Sequence, residues 1–160
     1  MTDRALAIGW GYQGRELDDL AESLRAWRAR ALVDVRLNPV SRKRGFSRKA
    51  LAEACAELGV EYIHLPALGN PRDNRDGFSK AGSERTEAHE RYRRDVLQSA
   101  PGQQAMQALA SITREGLVVV LCFEATEGQC HRSLVLQALQ DQRGTHPVNG
   151  DALEERGLRR

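Results

Sequence analysis

Short apolar runs alternate along this chain with apolar residues spaced for one face of a helix. Residues 5–9, ALAIG, form the first run, and GYQG turns the chain. Leu17, Leu20, Leu24 and Trp27 then recur at helical spacing within residues 15–29, with acids early and arginines late, as a helix dipole favours. Residues 31–36, ALVDVR, read as a second strand, and LNPVSRKRGF follows as a loop. Ser47 is a candidate cap for a helix that sets Leu51, Cys55 and Leu58 on one face and stops at Gly59. Residues 60–65, VEYIHL, are strand-like, and residues 66–83 read as a long polar loop.

Residues 84–98 have a charged helical pattern. Pro101 fits the start of another helix, with Met106, Leu109 and Ile112 apolar and Gly116 as its stop. LVVVLCF, residues 117–123, is the strongest strand signal, and residues 131–141 return to helical spacing. THPV, residues 145–148, reads as a last short strand. This alternation predicts an α/β fold with a mostly parallel sheet of four to five strands, flanked by helices on both faces. A single domain is expected over residues 1–145, with residues 146–160 as an extension.

Composition narrows the class. With 160 residues, 41% apolar and 29% charged, the chain is long enough for one real core. No apolar run approaches the ~20 residues of a membrane span. The first residues lack a signal-peptide pattern, so a cytoplasmic protein without a membrane partner is expected. Cys55, Cys122 and Cys130 are odd in number and read as free thiols. Net charge is only +2, yet Arg36 to Lys49 holds six basic residues and no acid. A stretch of that kind can hold an anion, because arginine offers a planar fork of donors.

In a parallel α/β sheet, ligands sit beyond the carboxyl ends of the strands. Three loops leave those ends: GWGYQG, RLNPVSRKRGF and FEATEGQCHRS. Their convergence carries the expectation of a site.

Three segments, ALVDVRLNPVSRKRGFS, LAEACAELGVEYIHLPALG and VVVLCFEATEGQCHRSLVLQAL, together resemble the bacterial family catalogued as domain of unknown function 488. That family has a GxG-like N-terminal turn and an Asp-Val-Arg strand end followed by Pro and Ser. A Tyr-x-His-x-x-x-Leu-Gly segment and a Cys-Phe-Glu…Cys-His-Arg segment complete its pattern. Here they stand as Asp34-Val35-Arg36, Tyr62 with His64, Cys122-Phe123-Glu124 and Cys130-His131-Arg132, and the usual second Gly after Leu68-Gly69 is Asn70. The resemblance names no activity. The loose DNA-repair label of some members implies a nucleic-acid substrate.

The residues themselves suggest chemistry. The Cys130-His131-Arg132-Ser133 cluster lies where a strand hands over to a helix. Free N–H groups there, with Arg132 and Ser133, can receive an anion. His131 can move a proton near neutral pH, and a helix start beside a cation activates a thiol such as Cys130. Asp34 and Arg36 share one side of their strand, as acid/base and anion clamp or as an internal ion pair. Glu124 is the next candidate acid/base. Cys122 reads as core unless its strand ends there. Ser41, Arg42 and Arg44 are candidate anion ligands in the basic loop. Tyr12, with Trp10, is a candidate stacking surface or loop anchor, and His64 is a site residue or a satisfied structural one. Neither the Cys122–Cys130 spacing nor the Cys130–His131 pair matches a usual metal motif, so no cofactor is implied, although Glu124, Cys130 and His131 could still meet in space around zinc.

Three readings stay open. The first is a hydrolase acting on a phosphate-bearing substrate, a nucleotide, DNA or RNA. The second is cysteine chemistry resembling rhodaneses and cysteine phosphatases, although Arg132 lies ten residues after Cys122 and two after Cys130. Those families place it five or six after the catalytic Cys. The third is a non-catalytic module holding an anionic ligand.

Overall fold

The computed structural model describes residues 6–142. The expected strand at 145–148 and the extension 146–160 lie outside them. Among the described residues four strands form one parallel sheet: β1 (Ala7–Gly11), β2 (Ala31–Asp34), β3 (Glu61–His64) and β4 (Val118–Cys122), in the order β1-β4-β2-β3. The last strand therefore inserts between the first two. Every residue of β4 and β2 is buried, whereas the edge strand β3 is half-covered. That central place explains why LVVVLC reads as an unbroken apolar run rather than an alternation.

Among the described residues six helices accompany the sheet: α1 (Leu17–Ala26), α2 (Arg48–Leu58), α3 (Arg75–Ser79), α4 (Ser83–Tyr92), α5 (Ala100–Glu115) and α6 (Arg132–Asp141). Their ends follow local chemistry. Glu16 and Asp19 close a reciprocal capping box on α1. Ser47 accepts from Ala50 N at the start of α2, and Gly59 ends it in the left-handed region. Ser99 caps α5 by accepting from Gly102 N, just before Pro101.

Strand residues alternate between two cores. Leu32, Val119 and Leu121 join Leu20 and Leu24 of α1 and Leu51 and Cys55 of α2. Val33, Val118, Val120 and Cys122 join Met106 and Leu109 of α5 and Leu134, Val135 and Leu139 of α6. The expected polar loop at 66–83 is largely ordered backbone: 3₁₀ turns at Pro66–Leu68 and Arg72–Asn74, then α3. Phe78, buried there, supplies the apolar anchor that the polar composition masks. The expected helix at 84–98 is α4 continued by a π-helical turn, Arg93–Leu97. Among the described residues no helix is long and apolar enough to cross a membrane.

Candidate functional site

A cleft of about 190 Å³ opens beyond the carboxyl ends of β1, β2 and β4. Tyr12 and Arg36 line it from the first two strand ends, and Cys122, Phe123, Glu124 and His131 from the third. Asn70, Arg75 and Phe78 close it from the segment between β3 and α4.

The loop after β4 reaches this position because β1 lacks side chains there. A Cβ on Gly9 would collide with the Glu127 carboxylate, and one on Gly11 with the Glu124 carbonyl. The two glycines of GWG thus make room for the loop carrying Glu124. Tyr12 N and Gln13 N donate to the Cys122 and Phe123 carbonyls at 3.2 and 2.8 Å, continuing the strand pairing into the loop.

At the end of β2, Asp34 is fully buried and its carboxylate is saturated. Its Oδ1 accepts from Arg36 Nε (2.8 Å) and Arg36 N (3.1 Å). Its Oδ2 accepts from Arg36 Nη2 (2.7 Å) and the Tyr62 hydroxyl (2.5 Å). Arg36 Nη1 donates to the Phe46 carbonyl at 2.7 Å and to the Tyr12 hydroxyl at 3.3 Å. Burial opposes the Arg36 charge, but Asp34 and Tyr12 outweigh it and hold the guanidinium protonated. Burial, then the Asp34 carboxylate, pushes the Tyr62 hydroxyl well up, so it remains a donor. His64 Nε2 lies 2.7 Å from the Arg36 carbonyl and donates to it. Buried Asp34 and Arg36 and half-buried Tyr62 and His64 therefore form one brace, of which only Arg36 reaches the cleft wall.

At the end of β4 the groups are less satisfied. The Cys122 thiol lies 3.7 Å from Glu124 Oε2 and 3.7 Å from His131 Nδ1. Cys130 Sγ lies 3.8 Å from the same Nδ1. His131 Nε2 is 2.9 Å from the Val35 carbonyl. A carbonyl can only accept, so Nε2 carries a proton and Nδ1 is the nitrogen turned to both thiols. Burial lowers the His131 pKa, but Cys130, the Val35 carbonyl and Glu124 outweigh it and the net shift is upward. Burial raises the Cys130 thiol well above its ordinary range. Tyr92 packs against the His131 ring at 5.5 Å and donates to the Leu68 carbonyl, tying α4 to the site.

Over residues 16–139 the chain matches the family described as Domain of unknown function DUF488. The chain belongs to this family. No curated protein and no solved structure significantly matches it. For this DUF488 chain the site must therefore be read from its own geometry.

The expected site residues do not all meet at the cleft. Glu124, His131, Arg36 and Tyr12 meet at the cleft. Cys130 sits directly behind His131, buried at 1% exposure. Arg132 is turned away from an anion-binding role: its guanidinium donates to the Glu124 carbonyl (2.6 Å) and the Ala125 carbonyl (3.4 Å) and lies 3.5 Å from Glu127. Ser133 Oγ donates to the Cys130 carbonyl. Both residues shape the loop. In the basic loop, Ser41 accepts from Lys43 N, and Arg42 and Arg44 are exposed outside the cleft lining. Tyr12 stacks on Phe46 at 4.6 Å, and Trp10 is buried, donating to Ser23 Oγ.

The sequence reading missed Arg75, Asn70 and Phe123. Arg75 donates through Nε to the Asn70 carbonyl, and no carboxylate among the described residues pairs with it. Its position inside an apparent polar loop hid it. Phe123 carried a usable signal, an aromatic residue just past the strongest strand.

Proposed function

We propose that this DUF488 protein is an enzyme that hydrolyses a nucleotide-type substrate, free or at a flexible strand end, in the cleft beside Glu124. One observation carries the reading. The large apolar side chains exposed among the described residues are Leu37, Val40 and Phe123, and all three rim this cleft. Exposed apolar surface gathered around a polar hollow marks a binding site. The rim suits a flat base stacking on Phe123, and Arg75 suits the attached phosphate. A cleft of about 190 Å³ is too small to enclose a duplex, which confines the reading to a single unit seated at its rim. Glu124 lies within reach of a water held there and takes its proton, the general-base role.

A nucleotide and nucleoside binding series tests the proposal. Wild type binds the phosphorylated compound more tightly than its dephosphorylated partner, Arg75→Ala erases the difference, and Phe123→Ala weakens both. Equal affinity for the two compounds in wild type rules the reading out. A second reading, thiol chemistry at Cys122, is favoured by its 3.7 Å approaches to His131 and Glu124. Thiosulfate:cyanide sulfur transfer lost in Cys122→Ser would establish it instead.

A further inference from the structure

We infer that Cys122, Cys130 and His131 form a binding site for a soft divalent metal ion of the zinc class, with its open coordination position facing the cleft. The donor set comes from three directions: the last residue of β4, the residue two before α6, and the histidine between them and the helix. All three residues are buried, at 5%, 1% and 6% exposure. Their donor atoms lie within 4.8 Å of one another.

Distances fit a metal better than a hydrogen-bonded cluster. Zinc bonds of about 2.3 Å to sulfur and about 2.0 Å to nitrogen, set tetrahedrally, place donor atoms roughly 3.5–3.8 Å apart. His131 Nδ1 lies 3.7 Å from Cys122 Sγ and 3.8 Å from Cys130 Sγ. A thiol is a weak donor and gains little by facing a nitrogen at that range. The outer partner is also present. Nε2–H donates to the Val35 carbonyl at 2.9 Å, the second bond that orients a metal-ligating histidine and fixes its tautomer. Val35 is itself held between Asp34 and Arg36 of the brace.

Charge balance favours occupancy. Each thiol exchanges its Sγ–H bond for an Sγ–metal bond and releases its proton to solvent. Two thiolates then neutralise the doubly charged ion, so the buried site carries no net charge. Cys122 and His131 line the cleft and give the ion an entry path. Three protein ligands with a fourth position open to water or substrate is the catalytic rather than the structural pattern. Glu124 Oε2, 3.7 Å from Cys122 Sγ, stands beside that position. This last point rests on the hydrolytic reading above, whereas the donor set does not.

Metal content of the full-length protein, purified without an affinity tag, tests the inference. One zinc per chain is expected, with the cleft-lining Cys122 protected from a thiol reagent until a chelator is added. Cys130→Ser and His131→Gln should weaken zinc binding more than ~100-fold, beyond the roughly 10–100-fold cost of disturbing only an outer partner. Cys55→Ser should retain full zinc. Cobalt titrated into the metal-free wild type should give thiolate-to-metal absorption and a tetrahedral visible spectrum, which needs no variant to fold. Less than a tenth of an equivalent of zinc, together with no such cobalt spectrum in reduced protein, overturns the site. So does a Cys122–Cys130 disulfide whose reduction restores no metal affinity. Metal without nucleotide hydrolysis overturns the functional reading alone, and hydrolysis by demonstrably metal-free protein overturns only the catalytic role given to the open position.

Discussion

Two strand ends meet in this cleft, and they handle polar groups in opposite ways. At the end of β2, Asp34 accepts four hydrogen bonds and Arg36 donates to Asp34, Tyr12 and Phe46. Charge answers charge within the protein, and little capacity remains for a ligand. At the end of β4, two thiols converge on one imidazole nitrogen and a carboxylate stands alongside. None of these groups is a strong partner for another. Charge by itself marks the brace here, while mutual under-satisfaction marks the candidate site. The two ends remain connected, because the Val35 carbonyl between Asp34 and Arg36 orients His131.

The comparison breaks most visibly at Asp34. Asp34→Ala leaves Arg36 buried and unpaired, and should cost about 3–5 kcal/mol in urea unfolding. A loss under ~1 kcal/mol would mean that the brace is not structural. Glu124→Gln should behave in the opposite manner. Its melting temperature should stay near wild type, while turnover on any substrate found falls about 100- to 10,000-fold. A similar fall in stability would place Glu124 in the brace class. Tyr62→Phe removes one hydrogen bond to a charged carboxylate and should cost about 1.5–3 kcal/mol without changing ligand affinity.

Cys55 sharpens the contrast from the other core, since its thiol has only burial around it and its pKa is pushed up to about 11. In the unfolded chain the thiol ionises near its ordinary value of 9.0. The fold therefore holds the proton longer, and its advantage is complete below that value and is lost as pH rises through about 11. The stability difference between wild type and Cys55→Ala should shrink across this window, by up to about 3 kcal/mol. A flat difference would refute the burial effect. The smallest change is expected from Arg42→Ala with Arg44→Ala. Both are exposed, so stability should move by less than ~0.5 kcal/mol. A large loss of small-nucleotide binding in that variant would shift the site from the cleft to the basic loop.

Much of the fold was legible because its signals are local. The apolar run LVVVLC, the Ser47 and Gly59 helix ends and the Pro101 start act over one or two turns of chain, and the structure places an element on each. The segment at 66–83 was not legible, because its two buried apolar anchors, Leu68 and Phe78, are ten residues apart among polar residues. The site was half legible. Strand ends and their loops pointed to Glu124 and His131, but the direction of each side chain was beyond reach. Arg132 bonds to carbonyls of its own loop, whereas Arg75, from an unpromising segment, faces the cleft.

The sequence by itself determined the alternation of strands and helices, the DUF488 pattern and the three loops that gather beyond the strand ends. Those follow from apolar periodicity and backbone preference, which act between near neighbours. Only the tertiary structure decided which polar groups neutralise one another. Asp34 meets Tyr62 and Cys122 meets His131 across 28 and nine residues of chain. The pairing of β2 with β3 brings the first two together, and the fold of the β4–α6 connection the second two. A hydrogen bond or a coordination shell depends on distances of a few tenths of an ångström, and spacing along the chain does not encode them.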